Sequence, residues 1–227
     1  MRPLAIFDIG DTLLTYEGVS LSWADNYVSA INAALSEVEA TCDTDLLDLS
    51  VSILEFYNTR TRPRKFEVAE GEVLSKVAKL YGANEIEFEN AFFAYFQRKA
   101  KPTNYALEML GALKDAGVYT AALTDVPYGM PKRLVLEDIR SMTALLDRVV
   151  TSCEVCLRKP HPNGLRRLIS DFGVEPHDAY YIGNERKDIV CAKNAEISSV
   201  LYTRSSDLDY GQDHTLCNLK ELGAILL

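Results

Sequence analysis

Leu4-Ala5-Ile6-Phe7-Asp8-Ile9-Gly10-Asp11-Thr12-Leu13 is an apolar run that ends on a carboxylate and turns at once through Gly10. Consecutive apolar residues without polar alternation are the pattern of a strand covered on both faces, which points to a parallel sheet clad in helices. Residues 3–8 are the first of five such runs, and the others are 118–124, 148–151, 178–183 and 197–202. Helical patterns lie among them. Residues 104–116 place Leu107, Leu110 and Leu113 on one face and stop at Gly117. Residues 162–172 begin at Pro162, bring Leu165, Leu168, Ile169 and Phe172 to one face, and stop at Gly173. Strands alternating with helices predict an α/β chain with a doubly wound parallel sheet.

More than a hundred residues separate the first run from the second, and none of them reads as a strand. Four helical stretches fill most of the interval: 22–39 (Trp23, Tyr27, Ile31, Leu35, Val38), 44–57 (Leu47, Val51, Leu54), 67–81 (Val73, Val77, Tyr81) and 85–98 (Phe88, Phe92, Phe96). Each keeps a period near 3.6, so the four can bury one face against one another, with the aromatics as core. The expected organisation is a core domain of residues 1–16 and 101–227 carrying an inserted helical-bundle cap at 17–100.

The 227 residues are 48% hydrophobic and 25% charged, as in an ordinary soluble enzyme. No apolar run nears the roughly 18 residues of a membrane span, and the first residues lack signal-peptide anatomy. Cys42, Cys153, Cys156, Cys191 and Cys217 are an odd, scattered set that argues against a disulfide framework and for a cytoplasmic setting. A net charge of −9 weighs against nucleic-acid binding. The local exception is Arg60-Thr61-Arg62-Pro63-Arg64-Lys65, either a solvated basic loop or an anion-attracting rim in which Arg60, Arg62 and Arg64 meet substrate. A monomer or a homodimer is expected.

Four features fall after successive strands. Asp8 sits at the carboxyl end of the first, where open α/β sheets bind ligands. Thr124, followed by Asp125, closes the second. Lys159 follows the third in Arg158-Lys159-Pro160-His161-Pro162, just before a helix. The fourth leads into Gly183-Asn184-Glu185-Arg186-Lys187-Asp188, where Asn184 and Asp188 lie four apart at a helix start and can face one ion. Each alone is an ordinary turn, cap or surface residue.

In this order the features resemble the haloacid dehalogenase-like superfamily over nearly the whole chain, most closely from Lys159 through Ala195. The resemblance implies a five-stranded sheet in the order 5-4-1-2-3 with the cap between the first two motifs. It also implies Mg²⁺, held by Asp8, the Gly10 carbonyl, Asn184 and Asp188, and a small phosphorylated substrate attacked by Asp8. Mg²⁺ and Lys159 would neutralise the charge that repels a carboxylate from a phosphate, Thr124 and loop amides would hold the transferring group, and Asp125 would contact substrate.

Two positions depart from the family pattern. Family phosphatases carry an acid–base Asp two residues after the nucleophile, where this chain has Gly10, with Asp11 one residue later. Asp11 is therefore a candidate proton donor, with turn capping as its alternative. The usual first metal-site Asp is Asn184, a ligand of lower charge. Besides the phosphatase, two alternatives stay open: a dehalogenase-like enzyme working without metal, and a protein that keeps the fold but binds with little turnover.

Overall fold

The five apolar runs are five strands in the computed structural model, which describes residues 2–20, 22–205 and 207–227. They are Leu4–Phe7 (β1), Tyr119–Thr124 (β2), Arg148–Thr151 (β3), Ala179–Gly183 (β4) and Ser198–Tyr202 (β5). A sixth, His214–Leu216 (β6), extends one edge, and the order β3-β2-β1-β4-β5-β6 is parallel throughout. The expected five-strand order is this sheet without β6, whose three residues were too short to stand out as an apolar run. Another short pair, Leu14–Tyr16 and Ala100–Pro102, forms a separate two-stranded sheet that the sequence reading also missed.

The chain divides into two compact units. The first comprises residues 1–15, 102–125 and 139–227. Its core packs Leu4, Ile6, Leu123 and Val150 of the sheet against Leu165 and Leu168 of helix Asn163–Phe172 and Ala192 of helix Arg186–Ala195. Helix Ala106–Asp115 buries Ala106, Met109, Leu110 and Leu113, an i, i+3, i+4, i+7 stripe. Leu107, expected on that face, is one position off the stripe and 39% exposed.

The second unit comprises residues 16–101 and 126–138. Its α-helices are Tyr27–Glu37, Thr44–Tyr57, Glu72–Leu80, Glu85–Gln97 and, later in the chain, Lys132–Asp138. Asp43 and Asn84 cap two of them by accepting from the Leu46 amide and from the Ile86 and Glu87 amides. The first starts later than its apolar pattern suggested, because Trp23 takes a left-handed φ of 63° and stacks on Phe96 at 3.9 Å between ring centroids. Tyr27, Ile31, Leu54, Val77, Phe88, Phe92 and Phe96 are all buried here, so the aromatics are core, as expected.

Residues 126–138, expected in the core domain, belong to this second unit. The Gly71 amide bonds the Gly129 carbonyl at 3.0 Å, Gln97 Nε2 bonds the Leu134 carbonyl at 3.0 Å, and Arg133 pairs with Glu89 at 3.2 Å. Val126-Pro127-Tyr128-Gly129-Met130-Pro131 has no helical or strand period, so nothing in it announced these partners.

Glu89 is buried, and its Oε1 has no hydrogen-bond partner. Burial pushes its carboxyl up from 4.5 to about 7, against the pull of Arg133. A folded-state value above the unfolded one contributes stability that is complete below about 4.5 and lost as pH rises through about 7. Glu89→Gln is expected to remove that decline, so thermal melts of the variant should be flatter than wild type across this window. Parallel curves would contradict the assignment.

Candidate active site

The register of the sheet sets the site. Phe7 of β1 lies opposite Ala122 of β2 on one side and Ile182 of β4 on the other, so Asp8 follows its strand level with Leu123 and Gly183, and Thr124 and Gly183 are the last residues of their strands at the carboxyl edge. The Asp8 amide is still held by the Ile182 carbonyl at 2.8 Å, which fixes the carboxylate's origin. Beyond it the chain turns tightly. The Leu13 and Leu14 amides return to the Ile9 carbonyl at 3.0 and 2.9 Å, and Asp11 adopts a left-handed φ of 54°. Thr103 clamps this loop, its hydroxyl on the Thr12 carbonyl at 2.6 Å and its amide on the Leu13 carbonyl at 2.9 Å.

Asp8, Lys159 and Asp188 form a buried chain of charges. Lys159 Nζ lies 2.5 Å from Asp8 Oδ1 and 2.6 Å from Asp188 Oδ1. Burial pushes the Asp8 carboxyl up to about 7. Lys159 pulls it down and Asp188 pushes it up again. Burial alone would lower Lys159, but Asp188 and Asp8 hold its ammonium well above the ordinary value, so it is charged. A cation shared between two buried carboxylates is an arrangement in which one can be spent as a nucleophile while the other keeps the lysine in place.

Asp188 is held from both ends. Its Oδ2 accepts from the Glu185 amide at 2.9 Å as part of a capping box that starts helix Arg186–Ala195. Gly183 makes room for it, since a Cβ there would fall 2.4 Å from Asp188 Cβ. Gly183→Ala is therefore expected to destabilise the protein by about 1–3 kcal/mol and to lower turnover more than substrate affinity. An alanine variant with wild-type melting and kinetics would contradict this.

Asp125 lies behind Lys159. Its Oδ1 accepts from the Lys159 amide at 3.0 Å, with Arg158 at 3.8 Å and Lys187 at 3.7 Å from Oδ2. Burial pushes its carboxyl up, but Arg158, Lys159 and Lys187 together bring it below the ordinary value. Asp125 thus orders the Lys159 loop, whatever it contributes to substrate. Arg158, Lys187 and Tyr181 were not singled out in the sequence; only the rule that a buried tyrosine hydroxyl or charge needs a partner would have drawn attention to them.

The expected metal donors have the right chemistry. Asp8, the Gly10 carbonyl, Asn184 and Asp188 are hard oxygen donors, suited to a Mg²⁺ that keeps several waters, although both Asp188 oxygens already meet Lys159 and the Glu185 amide. Among the described residues, no three His, Cys, Asp or Glu side chains gather as a metal cluster. The Thr12 hydroxyl donates to Asn184 Oδ1 at 3.3 Å, orienting its oxygen. A polar cavity of about 370 Å³ lies beside Asn184, bounded by Asp11, Thr15, Thr103, Asn184 and Arg204, and none of Asp8, Thr124 and Lys159 lines it.

The basic run lies in the second unit. Arg64 donates to the Tyr57 carbonyl at 2.6 Å and to Glu67 at 2.8 Å, and Arg62 lies over the Phe56 ring at 5.0 Å. Arg60 and Arg62 are exposed. All five cysteines are free thiols, Cys153 and Cys156 included.

A family model described as haloacid dehalogenase-like hydrolase matches residues 3–196. A phosphoglycolate phosphatase of Rhodospirillum rubrum is 35% identical over 96 residues, 42% of this chain and 39% of that protein. A glyceraldehyde 3-phosphate phosphatase of Methanopyrus kandleri is 25% identical over 92% of this chain and 87% of its own length. The fold is shared with a HAD phosphatase from Thermococcus onnurineus (TM-score 0.69, 22% identity, 100% of this chain and 98% of that one). It is also shared with a 2-haloacid dehalogenase from Pseudomonas syringae (TM-score 0.68, 16% identity, 100% of this chain and 98% of that one). Among the described residues no helix is long and apolar enough to cross a membrane.

Proposed function

Because the chain belongs to the haloacid dehalogenase-like hydrolase family, we propose that it hydrolyses a small phosphorylated metabolite through a phosphoryl intermediate on Asp8. The observation that carries this reading is the buried Asp8–Lys159–Asp188 chain at the carboxyl edge of the sheet. In the first step an Asp8 oxygen bonds to phosphorus as the ester oxygen departs and takes up a proton. In the second, water attacks the same phosphorus, releasing phosphate and restoring the carboxylate.

Lys159 offsets the negative charge that otherwise keeps a carboxylate from a phosphate, and Thr124 and the loop amides hold the transferring group. Mg²⁺, when bound by Asp8, the Gly10 carbonyl and Asn184, supplies further positive charge. In this reading Asp188 is a lysine holder, since both of its oxygens are already engaged. Arg60 and Arg62 remain candidates for substrate contact, while Arg64 serves its own loop.

The leaving group tests the account of Gly10. Without an acid at that position, esters with good leaving groups, such as p-nitrophenyl phosphate, should be hydrolysed far faster than alkyl phosphates. A Cβ built on Gly10 meets nothing within 4 Å, so Gly10→Asp has room. It is expected to raise alkyl-phosphate hydrolysis by about 10²-fold and to change aryl esters little. Asp11→Asn separates the alternatives: a comparable loss on alkyl substrates would make Asp11 the acid, and no loss leaves it a turn residue. Similar wild-type rates on both ester classes, with Asp11→Asn harmless, would overturn the missing-acid account.

The carbon-centred alternative draws on Asn184, which weakens the metal site. It predicts solvent ¹⁸O in the Asp8 carboxylate, whereas phosphoryl transfer puts it in phosphate.

A further inference from the structure

Tyr181 lies on β4 at the centre of the sheet, opposite Ile6, and is fully buried. Nothing in its apolar setting calls for a hydroxyl. A phenylalanine would fill the same space, and a buried hydroxyl is costly unless bonded. This one is bonded on both sides. It accepts from Lys159 Nζ at 3.0 Å and donates to the Leu123 carbonyl at 3.2 Å, with the Asp188 carboxylate at a longer 3.5 Å.

A lysine ammonium has three N–H donors. Here Nζ donates to Asp8 and to Tyr181, and Asp188 lies against it as an ion pair at 2.6 Å. Two carboxylates attract the ammonium strongly but fix it poorly, because it can rotate and slide between them. The third anchor removes that freedom, and it is the uncharged one. Because the Tyr181 oxygen accepts from Lys159, its proton is turned towards Leu123, the residue before Thr124 on β2. Lys159 is thereby positioned against the backbone of the strand that ends in Thr124.

We infer that Tyr181 is a positioning residue: through the Leu123 carbonyl it sets where the Lys159 ammonium stands relative to Asp8 and Thr124. The inference rests on the reading of Asp8 as nucleophile and Lys159 as its counter-charge. It is distinguished from a packing role by what the hydroxyl alone does.

The test is Tyr181→Phe, which keeps the ring. With p-nitrophenyl phosphate, kcat should fall about tenfold, as for one lost buried hydrogen bond, while KM stays within about twofold. In crystal structures of both proteins, Lys159 Nζ should leave its wild-type position or spread over more than one. Unchanged kcat in an active wild type would overturn the proposal. So would a loss spread over kcat, KM and melting temperature alike, since that is a packing effect.

If the wild type hydrolyses nothing, the functional reading falls, and the two structures decide on Tyr181 alone. An Nζ that keeps its place and both carboxylate contacts in the variant rejects the positioning role. Should Tyr181→Phe not fold, 3-fluorotyrosine installed at position 181 keeps the hydroxyl but weakens its oxygen as an acceptor. A smaller fall in kcat at constant KM is then expected, and an unchanged kcat overturns the inference.

Discussion

Asp8→Asn is expected to lower phosphate release by at least about 10⁴-fold at every pH, while the protein stays folded. Asn has the shape of Asp and can accept from Lys159, but its amide is no nucleophile and forms no acyl phosphate. The stability side follows from charge. Burial raises the Asp8 carboxyl from 3.8 to about 7, so the fold favours its neutral form. Stability from that group is complete below about 3.8 and lost as pH rises through about 7. A neutral amide escapes that loss, so the variant should melt no lower than wild type above pH 7 in the absence of metal. Activity and stability therefore move in different directions, which a misfolded variant would not reproduce. An Asn variant that turns over normally at saturating Mg²⁺ would remove Asp8 from the mechanism.

Lys159→Met should be nearly as severe, and it should damage both properties. The Lys159 side chain is 2% exposed, and its ammonium lies between two carboxylates. Taking away the one cation of such a buried network costs about 3–5 kcal/mol, because it leaves two buried carboxylates without their counterpart, whereas loss of the Asp8 charge leaves Lys159 paired with Asp188. Those carboxylates then favour protonation, and a protonated Asp8 does not attack. Turnover at neutral pH should drop by at least about 10²–10³-fold, the usual cost of losing one preorganised charge donor. The surviving rate should rise with pH as Asp8 recovers its charge, the opposite of a simple loss of affinity. A methionine variant with wild-type melting and a flat residual rate would contradict the geometry.

The apolar runs were legible because parallel strands covered on both faces leave no polar alternation, and the four candidate site residues end or follow four of them. The family resemblance picked out Asp8, Thr124, Lys159 and Asp188 by their order along the chain, and the structure brings Asp8, Lys159 and Asp188 into contact. Partners were not legible in that order. That Asp188 faces Lys159 depends on the capping box with Glu185 and on the space left by Gly183, neither of which has a periodic signal. Tyr181 looked like one more apolar strand residue, since its hydroxyl acquires meaning only when Lys159, 22 positions earlier, folds over it. The assignment of 126–138 to the second unit was hidden for the same reason: its bonds run to Gly71, Glu89 and Gln97, far away in sequence. The basic run shows the reverse case, a conspicuous sequence feature of which Arg64 is occupied by Tyr57 and Glu67.

The central claim is a covalent phosphoryl group on Asp8, and the direct measurement is to trap it. Wild-type protein with Mg²⁺ and p-nitrophenyl phosphate is quenched within one turnover, treated with borohydride, digested and analysed by mass spectrometry. Borohydride reduces an aspartyl phosphate to homoserine, so the account predicts that the peptide containing Asp8, and no other, carries that change in the presence of substrate. Phosphate release with every aspartate left intact, or with the change at another residue, would contradict it.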